Sequence, residues 1–130
     1  MNQESSSNSS SVDQLAEILD EMKSRGKLKG VILANRNGDL IAENMGVDKF
    51  DGTTFAAMCA SVLESADDLR KDLGVNKVFK IITELESGKI IIIIELDKKR
   101  FYSFVLGKQS KIEPILNDLD NYNQKIIEAY

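Results

Sequence analysis

A lone cysteine, Cys59, a group of carboxylates, Asp67, Asp68 and Asp72, and a basic run, Lys98, Lys99 and Arg100, are the residues whose types and spacing invite a chemical reading. A thiol can be a nucleophile, paired carboxylates can work as acid and base or hold a hard cation, and clustered cations can hold a polyanion. The chain has no histidine. That removes the commonest general base, the usual catalytic triad and most transition-metal sites together.

Each of the remaining candidates has a simpler structural explanation. Cys59 falls on the apolar stripe of a helical pattern, which predicts a buried thiol, and buried thiols are inert. Asp67, Asp68 and Asp72 follow on the same helix, where adjacent residues point in different directions, and no calcium loop surrounds them. Gly38, Gly46 and Gly52 are too dispersed to cradle a phosphate, and no GxxxxGK[ST] or GxGxxG is present. The expectation is no catalysis, no cofactor and no metal.

Lys98, Lys99 and Arg100, with Lys108 and Lys111 near in sequence, read as soluble turn residues. Phe101, Tyr102 and Phe104 are the only stacking aromatics beside them, so a nucleic-acid site is not expected, and an anionic lipid headgroup is a lesser alternative still. A formal charge of −4 gives no broad attraction to either polyanion.

The elements that would position these residues are legible in the spacing. Residues 2–11 are too polar to pack and read as a disordered serine-rich tail, 1–11, before a single domain at 12–130. Val12, Leu15, Ala16, Leu19 and Met22 predict a first helix stopped at Gly26. Val31 to Leu33 and Leu40 to Ala42 flank Asn37-Gly38 as a hairpin, with Gly30 suggesting a bulge or a close backbone approach. From the N-cap Asp51, an apolar stripe of Phe55, Met58, Cys59, Val62, Leu63, Ala66, Leu69 and Leu73 predicts a long helix ending at Gly74. Its other side begins with small residues, Ala56, Ala57, Ala60 and Ser61.

Five consecutive isoleucines, Ile90 to Ile94, are too few to span a bilayer, which takes about 20 apolar residues in a helix. They lie between strands at 77–85 and 100–106, and the links on either side fit only antiparallel hairpins. The run is therefore the middle strand of a meander, and its unbroken apolarity requires cover on both faces. Ser110 and Glu113 match a capping box for a last helix, with Pro114 just inside it. The predicted fold is an α/β sandwich, a five-stranded antiparallel sheet between helices in the order α-β-β-α-β-β-β-α. The N-terminus has neither a basic nor an apolar segment of a secretory signal, and the expected location is cytoplasmic, with no direct membrane insertion.

In this order of elements, and in "LKGVILANRNGDLIAEN" with Gly30 and Gly38 at the two glycines of a family hairpin, the chain resembles the Roadblock family of dynein light chains and small-GTPase regulators. The alanine-rich second helix and the three-strand meander carry the same resemblance. It implies a non-enzymatic scaffold or regulator of a small Ras-like GTPase, forming a homodimer or pairing with a Roadblock paralogue. By that resemblance the dimer interface takes Val78, Phe79, Lys80, Ile81, Ile82 and Thr83 from the first meander strand, with Ala56 and Ala60 from the second helix. The partner-binding residues are Thr54, Ala57, Ser61, Glu64 and Asp68.

Local residues bear on both assignments. "KVFKIITEL" is long and free of proline, so at a sheet edge it needs either a partner strand or the protection of its lysines. The alanines either admit a close helix or simply favour helix formation. A small-molecule sensor of profilin-like or PAS-like architecture is the alternative function, and it would need a cavity with convergent polar groups.

Overall fold

The structure, a computed structural model, describes residues 3–46 and 51–130. Helix α1 (Gln3–Gly26) leads into β1 (Gly30–Asn35) and β2 (Leu40–Asn44), then α2 (Gly52–Leu73). The meander β3 (Ile81–Glu84), β4 (Ile90–Glu95) and β5 (Arg100–Leu106) follows, and α3 (Glu113–Asn117) and α4 (Leu119–Ala129) close the chain. All pairings are antiparallel, and the strand order is β2-β1-β5-β4-β3. The hairpin and the meander are thus joined by β1 against β5, with Leu33 opposite Tyr102 and Ala34 opposite Phe101.

The isoleucine strand alternates between two cores, as a period of two requires. Ile92 and Ile94 join Val31, Leu33, Tyr102 and Phe104 beneath α1, α3 and α4, where Leu19, Met22, Ile115, Tyr122 and Ile126 meet them. Ile93 joins Ile32, Phe101 and Val105 on the opposite face, beneath Phe55, Cys59 and Leu63 of α2. Both faces of β4 are covered, and this is why the run tolerates no polar alternation.

Four boundaries differ from the sequence reading. Helix α1 begins at Gln3 and so runs through the serine-rich segment expected as a tail; Met1 and Asn2 lie outside the described residues. No proline or glycine interrupts residues 3–25, so nothing in the sequence blocks extension of the backbone ladder toward the N-terminus. The left-handed residue after this helix is Lys27, at φ 51°, while Gly26 is needed because a Cβ there would meet Lys111 O at 2.8 Å. Strand β3 holds four residues rather than the expected nine. Residues 77–80 precede its first pairing, Ile81 with Ile93.

The C-terminal helix, expected to be continuous, breaks at Asp118, whose φ of −117° and ψ of 17° leave the helical basin. No side chain caps α3, so the capping box is not formed. Ser110 is engaged elsewhere: its Oγ accepts from Gly107 N and donates to Lys27 O.

Gly30 does mark a close approach, since a Cβ there would stand 2.8 Å from Met45 Sδ and 3.1 Å from its Cα. The register of β1 against β2 shifts between Leu33 and Ala34, so the hairpin also carries the bulge.

Asp67, read as part of a solvated acidic face, in fact ties α2 to the sheet. It accepts from Arg36 of the β1–β2 turn and, at 3.3 Å, from Arg70 one turn along its own helix. Arg36 reaches on to Glu95 of β4 at 3.4 Å. The hydrogen bond from Arg36 holds the Asp67 carboxyl below its ordinary pKa, with Arg70 adding to the effect.

Two outcomes follow from this packing. Ile93→Ala, at 2% exposure between β5 and α2, is expected to cost about 2–5 kcal/mol in denaturant unfolding. Because the folded pKa of Asp67 lies below the unfolded value, its contribution is present above about pH 4 and is lost as pH falls through the depressed folded value. Asp67→Asn is therefore expected to be about 1 kcal/mol less stable than the wild type at pH 7, with the gap closing in acid. Urea melts from pH 3 to pH 7 on both proteins test this, and a gap independent of pH would refute it.

Candidate interaction site

Helix α2 is fixed at both ends by its own residues. Asp51 accepts from Thr53 N at 3.0 Å and from Thr54 Oγ1 at 2.9 Å, and Gly74 closes the helix at φ 71° with its N–H on Lys71 O. Between these caps the helix presents three different strips, because side chains recur about every 100° around its axis.

The buried strip is Phe55, Ala56, Cys59, Ala60 and Leu63. Ala56 has no exposed surface and Ala60 is 7% exposed, so both lie in the chain's own core. This corrects their assignment to a dimer interface: their small side chains let α2 lie close on this chain's own sheet. Gly38 of the hairpin turn sits against the same flank, its missing Cβ 3.2 Å from Ala57 Cα and 3.7 Å from Ala60 Cβ.

The apolar stripe read from the sequence is wider than the face that is buried. Met58, Val62, Leu69 and Leu73 all lie in solvent, with Met58 57% and Leu69 60% exposed. At about 100° per residue they occupy the helix flank opposite Ala57 and Ala60, away from Gly38 of the β1–β2 turn. Sequence reasoning missed them as surface residues because periodicity reports apolarity without saying what covers it.

At the edge of the sheet, β3 pairs with β4 alone among the described residues, which leaves its outer edge open. Ile81 packs against the α2-side core, and its neighbour Ile82, on the other face, is 53% exposed. Phe79 is 77% exposed, and Lys80 Nζ stands 6.0 Å from its ring centre. Val78 is half-buried, and Thr83 is exposed. Of the six strand residues expected at an interface, Ile81, Ile82 and Thr83 lie in β3, and Val78, Phe79 and Lys80 in the segment leading into it.

The third strip contains Thr54, Ala57, Ser61, Glu64 and Asp68, all exposed and recurring at three- and four-residue steps. The structure brings these five onto one face. Cys59, by contrast, is 4% exposed, and its thiol donates to Ser103 Oγ at 3.4 Å. Burial pushes that thiol's pKa up, which is the opposite of what a nucleophile requires. The basic residues grouped by sequence separate: Arg100 begins β5 and pairs with Asp97 at 2.7 Å, while Lys108 and Lys111 lie past the other end of that strand. No group of three metal-ligating side chains occurs among the described residues. No helix among them is long and apolar enough to cross a membrane.

Comparison with solved structures gives the same architecture. The gliding protein MglB of Thermus thermophilus superposes with a TM-score of 0.78 at 14% identity, covering 92% of this chain and 90% of that one. A structure described as MglB with tetrameric arrangement gives 0.76 at 16% identity over 87% and 85% of the two chains. A Roadblock/LC7 domain from Streptomyces avermitilis gives 0.74 at 12% identity over 85% and 92%. At these identities the likeness shows the fold. No curated protein matches by sequence. The family model for the Roadblock/LC7 domain matches residues 14–98, from α1 to the β4–β5 turn, and the chain belongs to that family.

Proposed function

We propose that this chain is a non-enzymatic, homodimerising scaffold that regulates a small Ras-like GTPase. The reading rests on two features of one chain: a strand edge with no partner among the described residues, and a helix flank of uncovered apolar side chains. An open edge and an exposed apolar surface each favour association, and together they suit a second copy of the same surface. A Roadblock paralogue with the same edge could replace one chain.

The strand sequence supports a particular register. If β3 pairs antiparallel with its twin about a two-fold axis at Ile82, then Ile82 faces Ile82 of the other copy, Ile81 faces Thr83, and Lys80 faces Glu84. Opposite charges are directly across from one another twice, and cross-strand pairs of this kind stabilise a sheet. In place of Ala56 and Ala60, the helix contribution to this interface is Met58, Val62 and Leu69. Val78, Phe79 and Lys80 extend the contact as residues leading into the strand.

The exposed strip of Thr54, Ala57, Ser61, Glu64 and Asp68 is the proposed GTPase surface. It lies next to the dimerising flank on the same helix, so two copies would present a composite surface. The sensor alternative gains no support, since Leu33, Phe104, Ile115 and Tyr122 fill without exposure the interior it would need open.

Lys80→Glu is expected to weaken self-association at least tenfold in sedimentation equilibrium, and Lys80→Glu with Glu84→Lys to restore it. A monomeric wild type at micromolar concentration would refute the dimer. Ala57→Arg, an exposed change, is expected to leave unfolding within about 0.5 kcal/mol of wild type. It should also abolish co-purification of the cognate GTPase. Undiminished capture would exclude the proposed surface.

A further inference from the structure

We propose that the end of the sheet where β1 and β4 begin and β5 ends is a binding site for a phosphate-bearing ligand. Lys27, Lys29, Lys89 and Lys108 converge there around a concavity of about 500 Å³ that Gln109 and Ser110 also line. None of its lining residues carries a carboxylate, on a chain whose net charge is −4. Lys27, Lys29 and Lys108 are exposed there, so a local basic surface exists that the overall balance conceals.

The corner is held together by directed bonds. Ser110 Oγ accepts from Gly107 N at 3.0 Å and donates to Lys27 O at 2.5 Å, tying the β5–α3 loop to the α1–β1 link. Lys29 N donates to Val105 O at 2.8 Å, and Lys111 N to Gly26 O at 2.9 Å. These bonds fix the backbones that carry Lys27, Lys29 and Lys108 relative to one another. The stem of Lys29 passes over Gly107, and that of Lys108 over Gly88, whose φ of 89° turns the β3–β4 link.

Lys27 itself adopts φ 51°, where glycine would be the easier residue. A lysine in that conformation lines this corner at a conformational cost.

The composition of the corner selects the ligand class. Lysines act as point charges on tetrahedral oxyanions, whereas planar carboxylates are better matched by the arginine fork, and no arginine lines the concavity. No aromatic ring lines it either, so base stacking is not provided. The shared chemistry is a phosphate group, carried either by a soluble polyphosphate or by a lipid headgroup. This site is independent of the dimer and GTPase surfaces proposed above.

The experiment compares wild type, Lys29→Gln with Lys108→Gln, and a control, Lys98→Gln with Lys99→Gln, at the opposite end of β5. Binding of inorganic tripolyphosphate is measured by calorimetry, and binding to phosphatidylinositol-phosphate vesicles by flotation, each at low and high salt. Wild type is expected to bind at least one of them saturably. The corner variant should lose at least tenfold in affinity, and the control less than twofold. Tripolyphosphate binding identifies a soluble ligand as sufficient, and vesicle binding alone identifies the headgroup. No saturable binding to either, or equal loss in control and corner variants, overturns the proposal. Thermal melts of all three proteins, expected to coincide within a few degrees, separate lost binding from lost folding.

Discussion

Cover for the central strands is the constraint on which the rest of this structure depends. An isoleucine strand with both backbone edges paired and both faces apolar is stable only inside a layered fold, so helices must lie above and below it. The chain supplies α1, α3 and α4 for one face and α2 alone for the other. One helix is narrower than five strands. Its cover is concentrated over β1, β5 and the middle of β4, and the far side of the sheet is left partly open, as the exposure of β3 records.

The same asymmetry leaves apolar side chains exposed. Ala56 and Ala60 let α2 settle close against the sheet and Gly38, which turns Met58, Val62 and Leu69 outward along the opposite flank. The short strand β3 has one bonded edge and, among the described residues, one open edge. Neither side chain that invited a chemical reading on this helix is free to react: Cys59 is buried against Ser103, and Asp67 is bonded to two arginines.

Charge shows a similar division between local and tertiary organisation. Arg36 links the hairpin turn to Asp67 and Glu95, so three elements distant in sequence are tied at one end of the sheet. At the other end lysines from the α1–β1 link, the β3–β4 link and the loop after β5 share a corner without lining carboxylates. The first arrangement stabilises through partly buried pairs, and in the second Lys27, Lys29 and Lys108 are exposed.

The sequence by itself determined the element order, the hairpin at Gly38, the central position of Ile90 to Ile94 and the burial of Cys59. Each follows from a local period, a turn residue or an apolar run, whose physics acts over a few neighbouring residues. The depth of α2 on the sheet, the exposure of half its apolar stripe, the brevity of β3, the break at Asp118 and the lysine corner were decided only by the tertiary structure. Periodicity states which side of a helix is apolar, but the angle at which that side meets a sheet depends on the side chains it meets. The convergence of Lys29, Lys89 and Lys108 depends in turn on strand order, which brings together residues that no sequence window contains.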